Sequence, residues 1–246
     1  MRAIRLLTLF LLLVPVTRAD SADDVARIHI EAIGGKLRMN LLRTLRATGR
    51  VNIDGRVLTF RLLAERPNRL RMETQSGSRR IIQATDGVAA PWQLDPDAQP
   101  ARVIQLEGEE AREFAADAEF DDPLVDFAAR GYAIDYAGEA QVGDRRAIRL
   151  LVTRRFVDTF QLLVDAETYF ILQKVSVRVR QGRQVKMEIT YDDHRPVGGI
   201  IIPHRYFTYA DGRLLHETIL ESVEANAPVP PDSFTAPILI TVPKAG

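Results

Sequence analysis

With no cysteine in the chain, the residues whose types could do chemistry are four histidines and a few paired carboxylates. His29 lies two residues before Glu31, and His216 is next to Glu217, so neither has the i, i+4 spacing of a helical zinc pair. His194 and His204 flank a loop, but no ligand spacing requires them to converge. All four read as surface or sheet-edge histidines. Glu109-Glu110, Asp121-Asp122 and Asp192-Asp193 are the candidate carboxylate pairs, although neighbours in sequence do not establish the separation across a cleft that paired-carboxylate hydrolysis needs. The chain has no G-x-S-x-G elbow, and Gly34-Gly35 is too short for a phosphate loop. Without cysteine, thiol catalysis, Cys-based zinc sites and disulfides are excluded together. The expectation is a protein with no catalytic, metal-ligating or cofactor-binding residues: not an enzyme.

The elements that would hold these residues are mostly strands. A helix is predicted over Asp23–Ile33, with Ser21 and Asp24 forming a weak capping box and Gly34-Gly35 ending it. Strands follow over Thr44–Ile53, Val57–Ala64, Asn68–Gln75 and Arg79–Ala84. Later ones cover Tyr132–Tyr136, Arg146–Thr153, Thr159–Val164, Ile171–Arg180, Gln184–Tyr191, Gly199–Tyr209 and Leu214–Val223. Asp54-Gly55 and Asp211-Gly212 are two-residue hairpin signals, and Asp192–Val197 reads as a loop. This is a mainly β meander of 10 or 11 antiparallel strands without a βαβ rhythm. Residues 108–130 break the pattern with two short helices, near Glu109–Ala118 and Leu124–Arg130, which must plug or cover the sheet. Trp92 and Phe234 are expected to be at least partly buried, as large rings that fasten the sheet ends.

Arg2 and Arg5 precede the apolar run Leu6–Val14, and Thr17-Arg18-Ala19 leads into Asp20-Ser21. That pattern predicts a signal peptide over residues 1–19 and a single mature unit over residues 20–246. Cleavage would leave 30 basic side chains against 33 acidic ones, so no overall charge favours nucleic acid. The basic pairs Arg79-Arg80, Arg145-Arg146 and Arg154-Arg155 read as solvent-facing charge. An antiparallel sheet with few helices must hide its apolar face by curling, closing or enclosing a ligand. An apolar cavity is the consequence. Its expected lining is Phe114, Phe120, Leu124 and Phe127 from the helical insert, with Leu70, Met72, Val175 and Val177 from the strands.

Several motifs together resemble the LolA-like group of periplasmic outer-membrane lipoprotein carriers and lipoprotein-sorting proteins. They are His29–Gly35 followed by Leu45–Gly49, Thr85-Asp86-Gly87 with Pro91-Trp92, and Tyr191–Ile200 with Ile202-Pro203-His204. The closing pair is Val223–Asn226 and Pro231–Pro237. His194 stands where that group usually has a second aromatic residue. The resemblance spans about residues 22–237. It implies a curved, nearly closed antiparallel half-barrel with an N-terminal helix and short lid helices over the concave face. It also implies a periplasmic, monomeric carrier of lipid, lipoprotein acyl chains or other hydrophobic cargo, meeting inner- or outer-membrane partners transiently. A chaperone-like interaction module of envelope assembly and a secreted hydrolase with a dispersed site are the alternative readings.

Overall fold

The computed structural model describes residues 21–154, 157–180 and 182–238, so the predicted signal segment lies outside the described residues. Helix α1 (Ala22–Ala32) starts as its sequence dictates, with Ser21 Oγ accepting from the Asp24 amide at 3.1 Å. Gly34 and Gly35 follow with φ of 129° and 85° and turn the chain into α2 (Lys36–Leu41), a helix not predicted from sequence. A Cβ on Gly34 would lie 2.6 Å from the carbonyl oxygen of Gly199, so this corner abuts the second glycine pair, Gly198-Gly199. Ile201 N–H donates to the Ile33 carbonyl at 2.8 Å and locks that meeting.

The first strands are β1 (Thr44–Ile53), β2 (Arg56–Glu65), β3 (Arg69–Ser76), β4 (Arg79–Thr85), β5 (Trp92–Asp95) and β6 (Arg102–Gln105). Helix α3 (Gly108–Asp117) comes next. It is followed by β7 (Tyr132–Val142), β8 (Arg145–Arg154), β9 (Asp158–Asp165), β10 (Ile171–Arg180), β11 (Arg183–Val197), β12 (Ile200–Ala210) and β13 (Arg213–Ala225). They form one antiparallel sheet of 13 strands in the order β6-β5-β4-β3-β2-β1-β13-β12-β11-β10-β9-β8-β7. The predicted count of 10 or 11 is therefore low. The missed strands, β5 and β6, have four residues each and sit among Pro91, Pro96 and Pro100, too short to show alternation. The expected loop Asp192–Val197 is instead a continuation of β11, bent by Asp193 at a φ of 53°.

The outermost strands, β6 and β7, do not pair with each other, so the sheet is open rather than nearly closed as expected. Two ties show that it nevertheless curls. Glu110 and Glu113 of α3 stand one helical turn apart, about 4.5 Å. Glu110 accepts from Gln83 of β4 at 3.3 Å, and Glu113 pairs with Arg178 of β10 at 2.7 Å. Those strands are seven steps apart in the sheet, about 34 Å along a flat surface. Glu119 and Phe120, consecutive in the chain, likewise join Arg154 of β8 at 2.6 Å and the Pro67 carbonyl, in the β2–β3 turn, at 3.0 Å. Such short bridges fit only a strongly curved, open half-barrel, with α1, α3 and the strap 118–123 on its concave side.

The second predicted helix of the insert is absent. Residues 123–131 form successive turns, because Asp126 takes a φ of 46° and interrupts a helical path. Beneath α1 the main core gathers Val25, Leu124, Leu150, Val152, Phe160 and Leu162. Trp92 and Phe234 are 4% and 6% exposed, and Trp92 Nε1–H donates to the Phe234 carbonyl at 2.9 Å. The C-terminal segment thereby clamps the outer face near β4 and β5. Among the described residues no helix is long and apolar enough to cross a membrane.

Candidate ligand cavity

A partly open cavity of about 230 Å³ lies where α1, α2 and the strap meet β11 and β12. Its walls are mostly apolar: Ile33 from the end of α1, Met39 from α2, Leu45 from β1, Phe120 from the strap, and Ile201 and Ile202 from β12. Alternation in β1 sends Leu45 inward, and the Gly198-Gly199 turn brings the isoleucine run 200–202 against the α1–α2 corner.

One wall is polar. His29, 2% exposed, points inward because it follows Val25 and Ala26 by four and three positions on the buried stripe of α1. Its Nδ1 is 2.7 Å from the Tyr169 carbonyl, and its Nε2 is 3.5 Å from Asp122 Oδ2. Burial alone would lower the pKa of His29, but the Asp122 carboxylate and the Tyr169 carbonyl outweigh it and leave it raised. Burial would raise that of Asp122, but His29 and the Leu124 amide hold it low. Asp121 pairs with Arg66, whose guanidinium also donates to the Leu42 and Met39 carbonyls and lies 5.0 Å from the centre of the Phe120 ring. Burial raises the Asp121 pKa despite Arg66. His194 stacks on Phe170 at 4.8 Å, its pKa lowered by burial and by Arg145, and Tyr191 lines the cavity beside them.

Of the side chains predicted to line a cavity, Phe120 lies in this wall. Leu70 is buried on the concave face of β3, opposite Ala64, and Met72 lies half-buried two residues along. Phe114 is half-buried on α3, which has no fully buried residue. Leu124 is 0% exposed within the core under α1, where Phe127 packs against it. Val175 and Val177 project from the opposite face, correcting the expectation that they point inward. The β9–β10 register shifts between Ile171 and Gln173, so Lys174, Ser176 and Arg178 take the concave positions. Lys174 there lies 4.4 Å from the centre of the Phe160 ring, and Val177 is 60% exposed.

Two further expectations change. His29 and His204 are buried rather than superficial, and Arg154 is 6% exposed, held by Glu119 and twice by Asp158 at 2.6 Å each. Arg154 therefore anchors the strap instead of facing solvent. Among the described residues no group of three or more His, Cys, Asp or Glu side chains could hold a metal ion.

No protein-family model and no curated protein matches this sequence. Solved structures do. A DUF1329-family protein from Desulfovibrio piger is 9% identical, with a TM-score of 0.60 over 88% of this chain and 98% of that one. An outer membrane lipoprotein-sorting protein domain from Vibrio parahaemolyticus is 11% identical, with a TM-score of 0.58 over 87% and 96%. A LolA superfamily protein from Nitrosomonas europaea is 14% identical, with a TM-score of 0.55 over 89% and 99%. At these identities the likeness is one of fold: the chain shares the open, curved-sheet architecture of these three structures.

Proposed function

We propose that residues 20–246 form a periplasmic carrier or binding protein for hydrophobic cargo, such as a lipid or the acyl chains of a lipoprotein. The observation that carries this reading is the apolar cavity between the α1–α2 corner, the strap and β12. Burying one acyl methylene is worth about 0.8 kcal/mol, so a lining of isoleucine, leucine, methionine and phenylalanine can supply affinity without a reactive group. The strap that closes one side is held largely by charged side chains, including Arg66, Arg154 and Arg130. Such ties can exchange for water more readily than a buried apolar seam, which suits a cover that lets cargo in and out. The resemblance to lipoprotein-sorting folds supports the same reading and suggests transient contact with membrane partners by a monomer.

The test is a titration of the mature protein with N-phenyl-1-naphthylamine, a neutral apolar fluorophore. Saturable binding by the parent and a loss of at least about tenfold in Ile201→Asp and Phe120→Asp are expected, since each places a charge in the apolar wall. No binding by the parent, or equal binding by both folded variants, would remove the carrier reading.

A further inference from the structure

The polar wall of the cavity restricts the head group of the cargo, an inference that rests on the carrier reading above. The Tyr169 carbonyl can only accept a hydrogen bond, so His29 Nδ1, 2.7 Å away, carries a proton. The other ring nitrogen, Nε2, is buried and makes no hydrogen bond, although it stands 3.5 Å from Asp122 Oδ2. With a neutral imidazole, Nε2 and Oδ2 are two acceptors side by side. That part of the wall calls for a donor. The Tyr191 hydroxyl, on the same cavity, has no hydrogen-bond partner among the described residues and can donate to an acceptor.

The charges in the lining give a second, independent constraint. Arg66 is the one cationic side chain among the Lys and Arg residues that line the cavity, and it is committed to Asp121 and to two backbone carbonyls. When His29 is neutral, Asp122 has the Leu124 amide and the neighbouring Arg130, itself held by Glu119 outside the lining, but no cation of its own inside the cavity; when His29 is protonated it is balanced. His194, which also lines the cavity, is held toward its neutral form by burial and by Arg145, so in neither state does a free positive charge face the ligand. A buried anionic head would lose its hydration and gain no partner.

We infer that this cavity selects amphipathic molecules with a neutral head that both donates and accepts hydrogen bonds, a hydroxyl or an amide, and rejects carboxylate and phosphate heads. The experiment displaces N-phenyl-1-naphthylamine from the mature protein with 1-tetradecanol and with tetradecanoate, which share a chain and differ in head. Tetradecanol is expected to compete at least about tenfold better, the scale of one unmade buried hydrogen bond. In Asp122→Asn, which removes the carboxylate charge, the ratio between the two should fall to within about threefold. Asp121→Asn, which releases Arg66, should lower it as well and serves if the first variant does not fold. Equal competition by the two ligands on the parent, or a ratio unchanged in a folded variant, would overturn the head-group inference while leaving the carrier reading in place. Failure of both ligands to displace a bound fluorophore would also overturn it, and failure of the fluorophore itself to bind would remove the carrier reading.

Discussion

The insert between β6 and β7 is only partly a cover, and truncating Leu124 tests that division. Leu124 is 0% exposed and packs in one cluster with Val25, Leu150, Leu162 and Val164. Its amide donates to Asp122 Oδ1 at 2.8 Å, which fixes the turn that also presents Asp122 to His29. Leu124→Ala removes buried methyl groups and leaves a hole that rigid strands on one side cannot fill. The cost should be about 3–4 kcal/mol, within the range for leucines in well-packed cores. In a chain of this size about 1 kcal/mol lowers the melting temperature by roughly 2–4 °C, so the expected drop is about 6–16 °C. Phe120→Ala is the comparison. Phe120 is half-buried over the cavity and touches the Arg66 guanidinium, so its loss should cost about 1–2 kcal/mol. Thermal unfolding followed by circular dichroism separates the two. A shift below about 2 °C for Leu124→Ala, or a larger loss for Phe120→Ala, would refute the assignment of Leu124 to the core and Phe120 to the cover.

Phe234→Ala should lower stability by about 3–5 kcal/mol, because the ring is buried while the carbonyl that receives Trp92 Nε1–H is retained; an unchanged urea midpoint would show that the C-terminal clamp is peripheral. The raised pKa of His29 stabilises the fold fully below its unfolded value of about 6.5, and that contribution fades as pH rises through the folded value. The lowered pKa of Asp122 contributes above about 4 and is lost as pH falls through its folded value, so the pair acts between the two. Melting temperature should therefore fall more between pH 6 and pH 8 in the parent than in His29→Gln, and parallel profiles would count against the pair. N-terminal sequencing of protein exported by a bacterial host should begin at Asp20, and retention of residues 1–19 would contradict cleavage.

Much of the strand pattern was readable from turn chemistry. Asp54-Gly55 and Asp211-Gly212 adopt positive φ at both residues, as a twisted two-residue hairpin requires, and they set β1–β2 and β12–β13. Facing was not readable. Val175 and Val177 were expected to point inward, but one irregular position near Leu172 reverses the alternation of β10. The inward places fall to Lys174, Ser176 and Arg178, and this pays off only in three dimensions, where the acids of α3 lie above Arg178. The polar wall escaped for a related reason: His29, Arg66, Asp122 and Tyr191 come from distant segments and meet through the curl of the sheet. A sequence signal did exist for His29. It shares the buried stripe of α1 with Val25 and Ala26, and a polar residue on such a stripe needs a partner.

The most direct measurement is a crystal structure of the mature protein grown with 1-tetradecanol. Elongated density between Ile33, Phe120 and Ile201, with its hydroxyl within hydrogen-bond reach of His29 Nε2 or Asp122, is the predicted result. Density confined to the outer face of the sheet, or an unchanged cavity at saturating alcohol, would contradict the claim that this cavity carries hydrophobic cargo.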